Sequence, residues 1–125
     1  MRMVFDAGAL IALERGDRAM WRRFKAALLA RTVPLTHAGI VGQVWRGGPR
    51  QALLARALDG VDVRSLDLPL GRAAGELLAR TDTDDVMDAA VVLLAQDGDD
   101  IVTSDADDLR PLAFGSGRHV DLIRA

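Results

Sequence analysis

Acidic residues stand at three places in this sequence where an apolar stretch begins or ends. Asp6 ends the apolar run "MVF", Asp105 follows "IVTS", and Asp88 directly precedes the apolar segment "AAVVLLA". An ionised carboxylate in such surroundings costs several kcal/mol unless a cation or hydrogen-bond donors replace the lost water. Each of these residues is therefore either a helix cap or part of a functional site.

Three carboxylates brought together repel one another unless a cation lies between them. We therefore predict a metal site formed by Asp6, Asp88 and Asp105, with Asp108 as a further catalytic candidate or only a partner of its own helix dipole. Oxygen ligands without cysteine or histidine favour a hard cation, Mg²⁺ or Mn²⁺. Such ions activate water and stabilise charge on a phosphodiester, which is the chemistry of a nuclease.

The remaining aspartates have a simpler interpretation. Asp84 or Asp85 suits the start of a helix, where a carboxylate accepts from free backbone N–H groups. Helix caps or solvated loop positions are expected for Asp82, Asp84, Asp97, Asp99 and Asp100.

The elements that must position these acids follow from the hydrophobic pattern. Strand-length apolar runs alternate with helix-length amphipathic stretches, which indicates βαβ units and a parallel sheet. We predict strands at 3 to 5, 33 to 36, 61 to 66, 100 to 104 and 119 to 123. We predict helices at 17 to 30, 37 to 47, 49 to 60, 69 to 81 and 84 to 98. In the first of these, Met20, Phe24, Ala27 and Leu28 share one face.

In open parallel sheets the functional crevice lies beyond the carboxyl ends of the strands, where the strand order reverses. Asp6 and Asp105 each follow a predicted strand. If the first and fourth strands are neighbours, these two carboxylates meet at that point.

Length and composition restrict the class of protein. The 125 residues suit one domain, residues 1 to 125, and the 50% hydrophobic and 27% charged content excludes a disordered chain. The absence of cysteine excludes disulfides, thiolate nucleophiles and sulfur-ligated zinc. Asp6 and Glu14 interrupt the first apolar stretch, so we expect no signal peptide. The apolar run at 89 to 95 is too short to cross a bilayer, and we expect a cytoplasmic protein without a membrane partner.

Four segments of the chain resemble the PIN-domain ribonucleases, most closely the VapC-type toxins of bacterial toxin–antitoxin pairs. These segments are "VFDAGALIAL", "VWRGGPRQALLARAL", "TDTDDVMDAAVVLLA" and "IVTSDADDLRPLA", and together they span nearly the whole chain in the family's order. Asp6, Asp88 and Asp105 match the acids of the family, with Asp108 close by.

The resemblance implies a single PIN domain with a three-layer α/β/α fold and a five-stranded parallel sheet. It also implies a Mg²⁺ or Mn²⁺ site, endonucleolytic cleavage of RNA and a homodimer. A small VapB-type antitoxin would be the partner that neutralises the toxin.

One position departs from the family's pattern. The family usually has glutamate just before "VWRGG", where this chain has Gln43. The glutamine carbonyl can still accept a hydrogen bond or ligate, but the side chain has no charge and cannot act as a base. Three explanations remain: an engineered substitution that silences a toxin, which the otherwise intact site favours, a natural degenerate member, or a site that works with three aspartates. A catalytically silent PIN domain that binds RNA or serves as a scaffold is the alternative function.

Other polar and aromatic residues have less specific interpretations. Arg15, Arg46 and Arg110 are candidate phosphate contacts or solvated charges at helix ends. Trp21 and Trp45 could stack on bases, although core or dimer packing is favoured at their helical positions. His37 is interpreted as a helix-entry residue and His119 as a strand residue.

Two other aspartate-rich classes each lack an essential residue. A receiver domain needs a lysine late in the chain, and the only lysine is Lys25. A haloacid-dehalogenase-like phosphatase needs a second aspartate two residues after the first, where this chain has Gly8. No "GxxxxGK[ST]" or "GxGxxG" motif is present, so nucleotide-binding loops are unsupported.

Overall fold

A computed structural model describes residues 1–125 and shows an α/β protein with five strands and seven α-helices. The strands are β1 (Met3–Phe5), β2 (Leu35–His37), β3 (Asp62–Arg64), β4 (Asp100–Thr103) and β5 (Asp121–Arg124). The helices are α1 (Ala7–Glu14), α2 (Arg18–Leu29), α3 (Ala38–Val44), α4 (Ala52–Leu58), α5 (Leu68–Thr81), α6 (Val86–Leu94) and α7 (Ala106–Ser116). A single 3₁₀ turn, Pro49–Gln51, precedes α4.

The five strands form one parallel sheet in the order β3-β2-β1-β4-β5. Strand β1 is central, and its Val4 pairs with Leu35 of β2 on one side and Ile101 of β4 on the other. The strand order therefore reverses between β1 and β4. The predicted five-stranded parallel sheet is confirmed, and the first and fourth strands are neighbours, which is the condition for Asp6 and Asp105 to meet.

The helices form two groups on either side of the sheet. Helix α1 packs against α2, α3 and α4, whereas α5, α6 and α7 pack against one another. Both faces of the central strands are covered, which explains why consecutive residues are apolar in β1 and at Ile101 and Val102 of β4, without alternation. Val4, Phe5, Ile101 and Val102 have no exposed surface. The result is the predicted three-layer α/β/α arrangement.

Several element boundaries differ from the prediction. Helix α3 ends at Val44 because Trp45 is extended and Gly47 and Gly48 have φ values of 80° and 95°. Helix α6 ends at Leu94 instead of near Gly98. There the guanidinium of Arg118 donates to the carbonyls of Leu93 and Ala95 at 2.7 and 2.6 Å, satisfying the end of the helix.

The sequence pattern also missed one helix and misplaced one side chain. Helix α1 was not predicted, because its apolar residues surround the axis and leave no polar face to mark the helical period. In α2, Met20, Phe24 and Ala27 are buried as predicted, but Leu28 is 37% exposed. None of the helices combines the length and apolar character needed to cross a membrane.

Candidate active site

Four aspartates lie at the point where the strand order reverses. Asp6 follows β1 and Asp105 follows β4, while Asp88 and Asp108 lie in the first turns of α6 and α7. The charge of Asp105 acts on Asp6, and the charges of Asp6 and Asp108 act on Asp88. The fold therefore brings together the four aspartates that the sequence singles out, from three distant segments of the chain.

Asp6 is both a helix cap and a member of this cluster. Its side chain is only 6% exposed, and its carboxylate accepts a hydrogen bond from the backbone N–H of Ala9 at 3.0 Å. Burial raises the pKa of Asp6, hydrogen bonds from Thr103, Ala9 and Gly8 lower it, and the charge of Asp105 raises it further. The net shift is upward, so burial outweighs the donors that the protein supplies.

Asp105 occupies the N-cap position of α7 but makes no capping hydrogen bond with its side chain. Its own backbone N–H donates to Thr103 Oγ1 at 2.8 Å. Asp17, Asp67 and Asp85 are the N-caps of α2, α5 and α6, and each accepts the usual hydrogen bond from the helix. The carboxylate of Asp105 is therefore not used to cap its own helix.

Asp88 is half-buried, and the charges of three other aspartates act on it. Burial, followed by the charges of Asp85, Asp6 and Asp108, raises its pKa to about 7. Asp85 is the predicted cap of α6, and its carboxylate accepts from the backbone N–H of Asp88 at 3.0 Å. Asp88 therefore does not cap the helix and faces the other aspartates.

Asp108 is exposed and lies next to Asp105. A hydrogen bond shared with Asp105, followed by the charge of Asp105, raises the pKa of Asp108.

The donor chemistry of the cluster fits a hard divalent cation, although its side-chain arrangement is not a finished ligand set. No three acidic or histidine side chains converge closely enough to hold an ion as they stand. The donors are nevertheless all carboxylates, and their mutual repulsion is the kind that Mg²⁺ or Mn²⁺ relieves. The carboxylate of Asp105 in particular accepts no capping hydrogen bond from the backbone of α7.

Gln43 is an exposed residue near the end of α3. Helix α3 begins directly after β2, the neighbour of β1, so its first residue lies at the same edge of the sheet as Asp6. The structure shows no hydrogen bond between Gln43 and the four aspartates, and its place in the site stays a prediction.

Gln51 is a polar residue that the sequence analysis missed. It is buried, and its carbonyl accepts from the backbone N–H groups of Arg46 and Gly47 at 2.7 and 2.9 Å. Its amide donates to the carbonyl of Val44 and to the carboxylate of Glu14. Gln51 thereby fixes the "VWRGG" segment against the end of α1. A single glutamine in a helical stretch gives no periodic signal that could have revealed this role.

The predicted loop acids mostly have the expected structural roles. Asp97 accepts from the backbone N–H of His119, and Asp99 accepts from those of Arg2 and Gln96. Two of the five differ from the expectation. Asp99 is buried, and Asp100 begins β4 opposite Asp121, with a pKa raised by burial and by that neighbour.

The three arginines predicted near phosphate differ in availability. Arg110 pairs with Asp107 at 2.6 Å, and the guanidinium of Arg46 donates to the carbonyls of Gly42 and Trp45. Arg15 is exposed and lines a groove with Gly8, next to the cluster. Of the three arginines, Arg15 is the one whose guanidinium is not already paired with another group.

The aromatic and histidine predictions are partly confirmed. Trp21 packs on the core, but Trp45 is 41% exposed, so it is not a core residue. His37 caps α3 as expected, with its Nδ1 accepting from Gly39 N–H at 3.1 Å and its Nε2 placed 3.0 Å from the carbonyl of Met87. His119 precedes β5 and is not part of it.

Comparisons of the sequence with models of known protein families and with curated proteins find no match. What the cluster can do is therefore argued from its chemistry. Buried and exposed carboxylates at one edge of a parallel sheet can hold a divalent cation and accept a proton beside it.

Proposed function

We propose that this protein is a metal-dependent endoribonuclease of the PIN-domain type, acting as the toxin of a type II toxin–antitoxin system. The observation that carries the proposal is the meeting of four aspartates at the switch between β1 and β4, with the Asp105 carboxylate not used to cap its own helix. The resemblance of four sequence segments to VapC-type toxins supports the same conclusion.

Asp6, Asp88 and Asp105 would hold the ion, Mg²⁺ or Mn²⁺. When bound, the ion would lower the pKa of water and stabilise the negative charge that develops on the phosphodiester. The protein holds Asp6 in place through burial and through its hydrogen bond from Ala9. This fixed carboxylate gives the site one ligand that needs no reorganisation.

Asp108 is the residue we assign to proton transfer. Its carboxylate is exposed beside Asp105 and can accept the proton of the attacking water as the oxygen–phosphorus bond forms. The bond from phosphorus to the leaving ribose oxygen breaks in the same displacement, and that oxygen takes a proton from solvent. Arg15, at the end of the adjacent groove, would contact a neighbouring phosphate.

Two features favour a second candidate function, a silent PIN domain that binds RNA or acts as a scaffold. Gln43 replaces the glutamate of the family's pattern, and no three carboxylates form a finished ligand set. An RNA-binding role would need the arginines described above but no cation in the cluster.

The proposed biology follows from the resemblance to VapC-type toxins. The substrate would be cellular RNA, the protein would act in the cytoplasm as a homodimer, and a VapB-type antitoxin would cover the site. No membrane partner is proposed.

The test compares the parent protein with Gln43→Glu on single-stranded RNA in the presence of Mg²⁺ or Mn²⁺. We expect weak cleavage by the parent and faster cleavage by Gln43→Glu, because the added carboxylate strengthens attraction for the cation. Adding Asp6→Asn to Gln43→Glu should abolish cleavage. Expression of Gln43→Glu without an antitoxin should also be toxic.

Two results would contradict this proposal. Unchanged activity of Gln43→Glu at every metal concentration would show that position 43 lies outside the site. RNA binding without metal-dependent cleavage by either protein would favour the silent alternative.

A further inference from the structure

A basic cleft lies at the opposite end of α1 from the four aspartates. Its volume is about 540 Å³, and the residues that line it come from the end of α1, from α2 and from α4. Its charged residues are Arg18, Arg22, Lys25 and Arg56. No acidic residue lines this basic cleft.

The four cations of the basic cleft have no ion-pair partners. The two ion pairs of the protein, Arg64 with Asp62 and Arg110 with Asp107, lie elsewhere. Helix α2 carries four cations and no acidic residue. Arg18, Arg22 and Lys25 are four and three residues apart, so they lie on one face of the helix and line the basic cleft. The fourth cation, Arg23, lies near Asp100. A protein of net charge −2 thus concentrates unpaired positive charge at one place.

The floor of the basic cleft is rigid and does not offer a free aromatic face. The indole N–H of Trp21 donates to the carbonyl of Leu13 at 2.9 Å, and its ring packs edge to face with Phe24 at 5.6 Å. The ammonium of Lys25 lies 6.0 Å from the centroid of the Trp21 ring. Since the ring is already engaged, the cleft has charges for phosphates but no platform for stacked bases.

A second groove runs along α1, between the turn at Gly16 that borders the basic cleft and the segment next to Asp105. It is lined by Gly8, Ile11, Ala12 and Arg15, which lie on one face of α1, and by Ser104 and Ala125. From Asp6 to Arg15 this face spans about 13 Å, given the rise of an α-helix. That distance corresponds to about four nucleotides of a stacked strand. Asp17 also lines the groove, but its carboxylate caps α2 through the N–H of Met20 at 2.8 Å.

We infer that the basic cleft binds the phosphate backbone of the RNA strand about four nucleotides from the bond that is cut. The inference rests on the proposed function for its choice of RNA as ligand. Guanidinium groups bind phosphates bidentately, and the second groove runs from the border of the basic cleft toward the carboxylates. Binding there is independent of base sequence, because the contacts are made to phosphates only.

The experiment measures binding of a fluorescent single-stranded RNA octanucleotide in EDTA, which removes any contribution from metal-dependent cleavage. The variant Arg22→Ala/Arg56→Ala should raise Kd about tenfold. The slope of log Kd against log salt concentration should fall by about 1.4, because each lost phosphate contact removes about 0.7 from the slope for a single strand. Both residues are exposed, so the variant should fold as the parent does.

The matched control is Arg72→Ala/Arg80→Ala on α5, which removes the same charge from the opposite helix layer. The control should change Kd by less than about twofold and leave the slope nearly constant. Equal losses in the two variants, or an unchanged salt slope for Arg22→Ala/Arg56→Ala, would overturn the inference.

A cleavage assay separates this inference from the proposed function. If Gln43→Glu cleaves RNA, adding Arg22→Ala/Arg56→Ala should raise KM and leave kcat unchanged. Cleavage with an unchanged KM would contradict RNA binding by the basic cleft but would leave the proposed nuclease activity supported. RNA binding that depends on the cleft, without any cleavage, would contradict the nuclease activity but would support the role of the cleft. Loss of binding to an acidic protein partner, with RNA affinity unchanged, would identify the cleft as a protein-binding site and overturn the inference.

Discussion

Five helices of this protein begin at an aspartate, yet the five carboxylates do not share one task. Asp17, Asp67 and Asp85 accept the usual hydrogen bond of an N-cap, which stabilises a helix by about 1 kcal/mol. Asp6 does so from a buried position beside other acids. Asp105 makes no such bond. An N-terminal aspartate usually caps its own helix, but Asp105 makes no capping bond, and it lies where the proposed site needs a ligand.

Asp88→Asn should weaken Mn²⁺ binding at least about tenfold, because even supporting residues around a metal cost 10–100-fold when they are lost. Calorimetric titration of the purified protein measures this directly. Asp84→Asn removes the same charge from an exposed position nearby and should have little effect. Equal affinity in Asp88→Asn and the parent would remove Asp88 from the site.

His37 should make part of the stability depend on pH. Its Nδ1 accepts from Gly39 N–H, so the ring is neutral in the folded protein, and burial lowers the pKa of His37. The unfolded chain binds a proton near pH 6.5, so this contribution is present above that pH and is lost as the pH falls below it.

Urea unfolding of the parent and of His37→Asn between pH 5 and 8 tests this dependence. Above pH 6.5 the variant should be less stable by about 1–3 kcal/mol, because the partly buried carbonyl of Met87 loses its hydrogen bond to His37. The difference between the two proteins should shrink toward pH 5. A difference that stays constant with pH would contradict a neutral, buried His37.

At the scale of elements, the close approach of α1 to β4 brings Asp6 next to Asp105. A Cβ atom at Gly8 would overlap the side chain of Ser104 and lie 2.9 Å from its backbone nitrogen. Only glycine therefore allows the first turn of α1 to lie directly on the end of β4.

Gly8→Ala should destabilise the protein by about 1–3 kcal/mol, the usual cost of overpacking, and weaken Mn²⁺ binding as Asp6 moves from Asp105. Gly71→Ala in α5 is the control, because nothing lies within 4 Å of a Cβ atom there. It should stabilise the protein by about 0.5–1 kcal/mol. Thermal unfolding and Mn²⁺ titration of both variants check the two effects, and similar stability changes would contradict the close approach.

The sequence predicted elements well where burial imposes a period or an unbroken apolar run. The buried strands β1 and β4 and the stripe of Met20, Phe24 and Ala27 in α2 are examples. Helix α1 escaped prediction because it is apolar all round, and the buried role of Gln51 depends on a loop that no local pattern specifies. Asp6 and Asp105 could be singled out because each follows a strand of the predicted parallel sheet, but the missing cap at Asp105 could not be predicted.

The basic cleft shows a similar limit of sequence analysis. Arg22 and Arg23 both lie off the apolar stripe of α2, and nothing local distinguishes them. Only the packing of α2 against α1 and α4 places Arg22 with Arg56 and leaves Arg23 beside Asp100.

At the scale of the whole molecule, opposite charges lie at opposite ends of α1. The aspartates lie at its N-terminus and the basic cleft at its C-terminus, so each group has the sign that the helix dipole favours. The net charge of −2 is a sum over the whole chain, so it gives no sign of this separation. On the proposed function, RNA would be drawn first to the basic cleft and would reach the carboxylates along α1.

The proposed homodimer should depend on Phe114, which is 89% exposed on α7 near Val120 and Leu122. Burial of this side chain between two copies would contribute about 1.5–3 kcal/mol. Light scattering should report a dimer for the parent and a monomer for Phe114→Glu. Leu29→Glu, at an equally exposed position on α2, should leave the dimer intact. A monomeric parent at micromolar concentration would contradict the dimer.

The pairing of β1 with β4 also has a consequence for synthesis on the ribosome. Val4 pairs with Ile101, so the central strand lacks one neighbour until the chain has been translated past Ile101. Contacts so distant in sequence form late, after the loss of chain entropy that they require. A nascent chain therefore carries Asp6 long before Asp105 can join it, and the carboxylate cluster is completed only after the segment with Asp105 has left the ribosome.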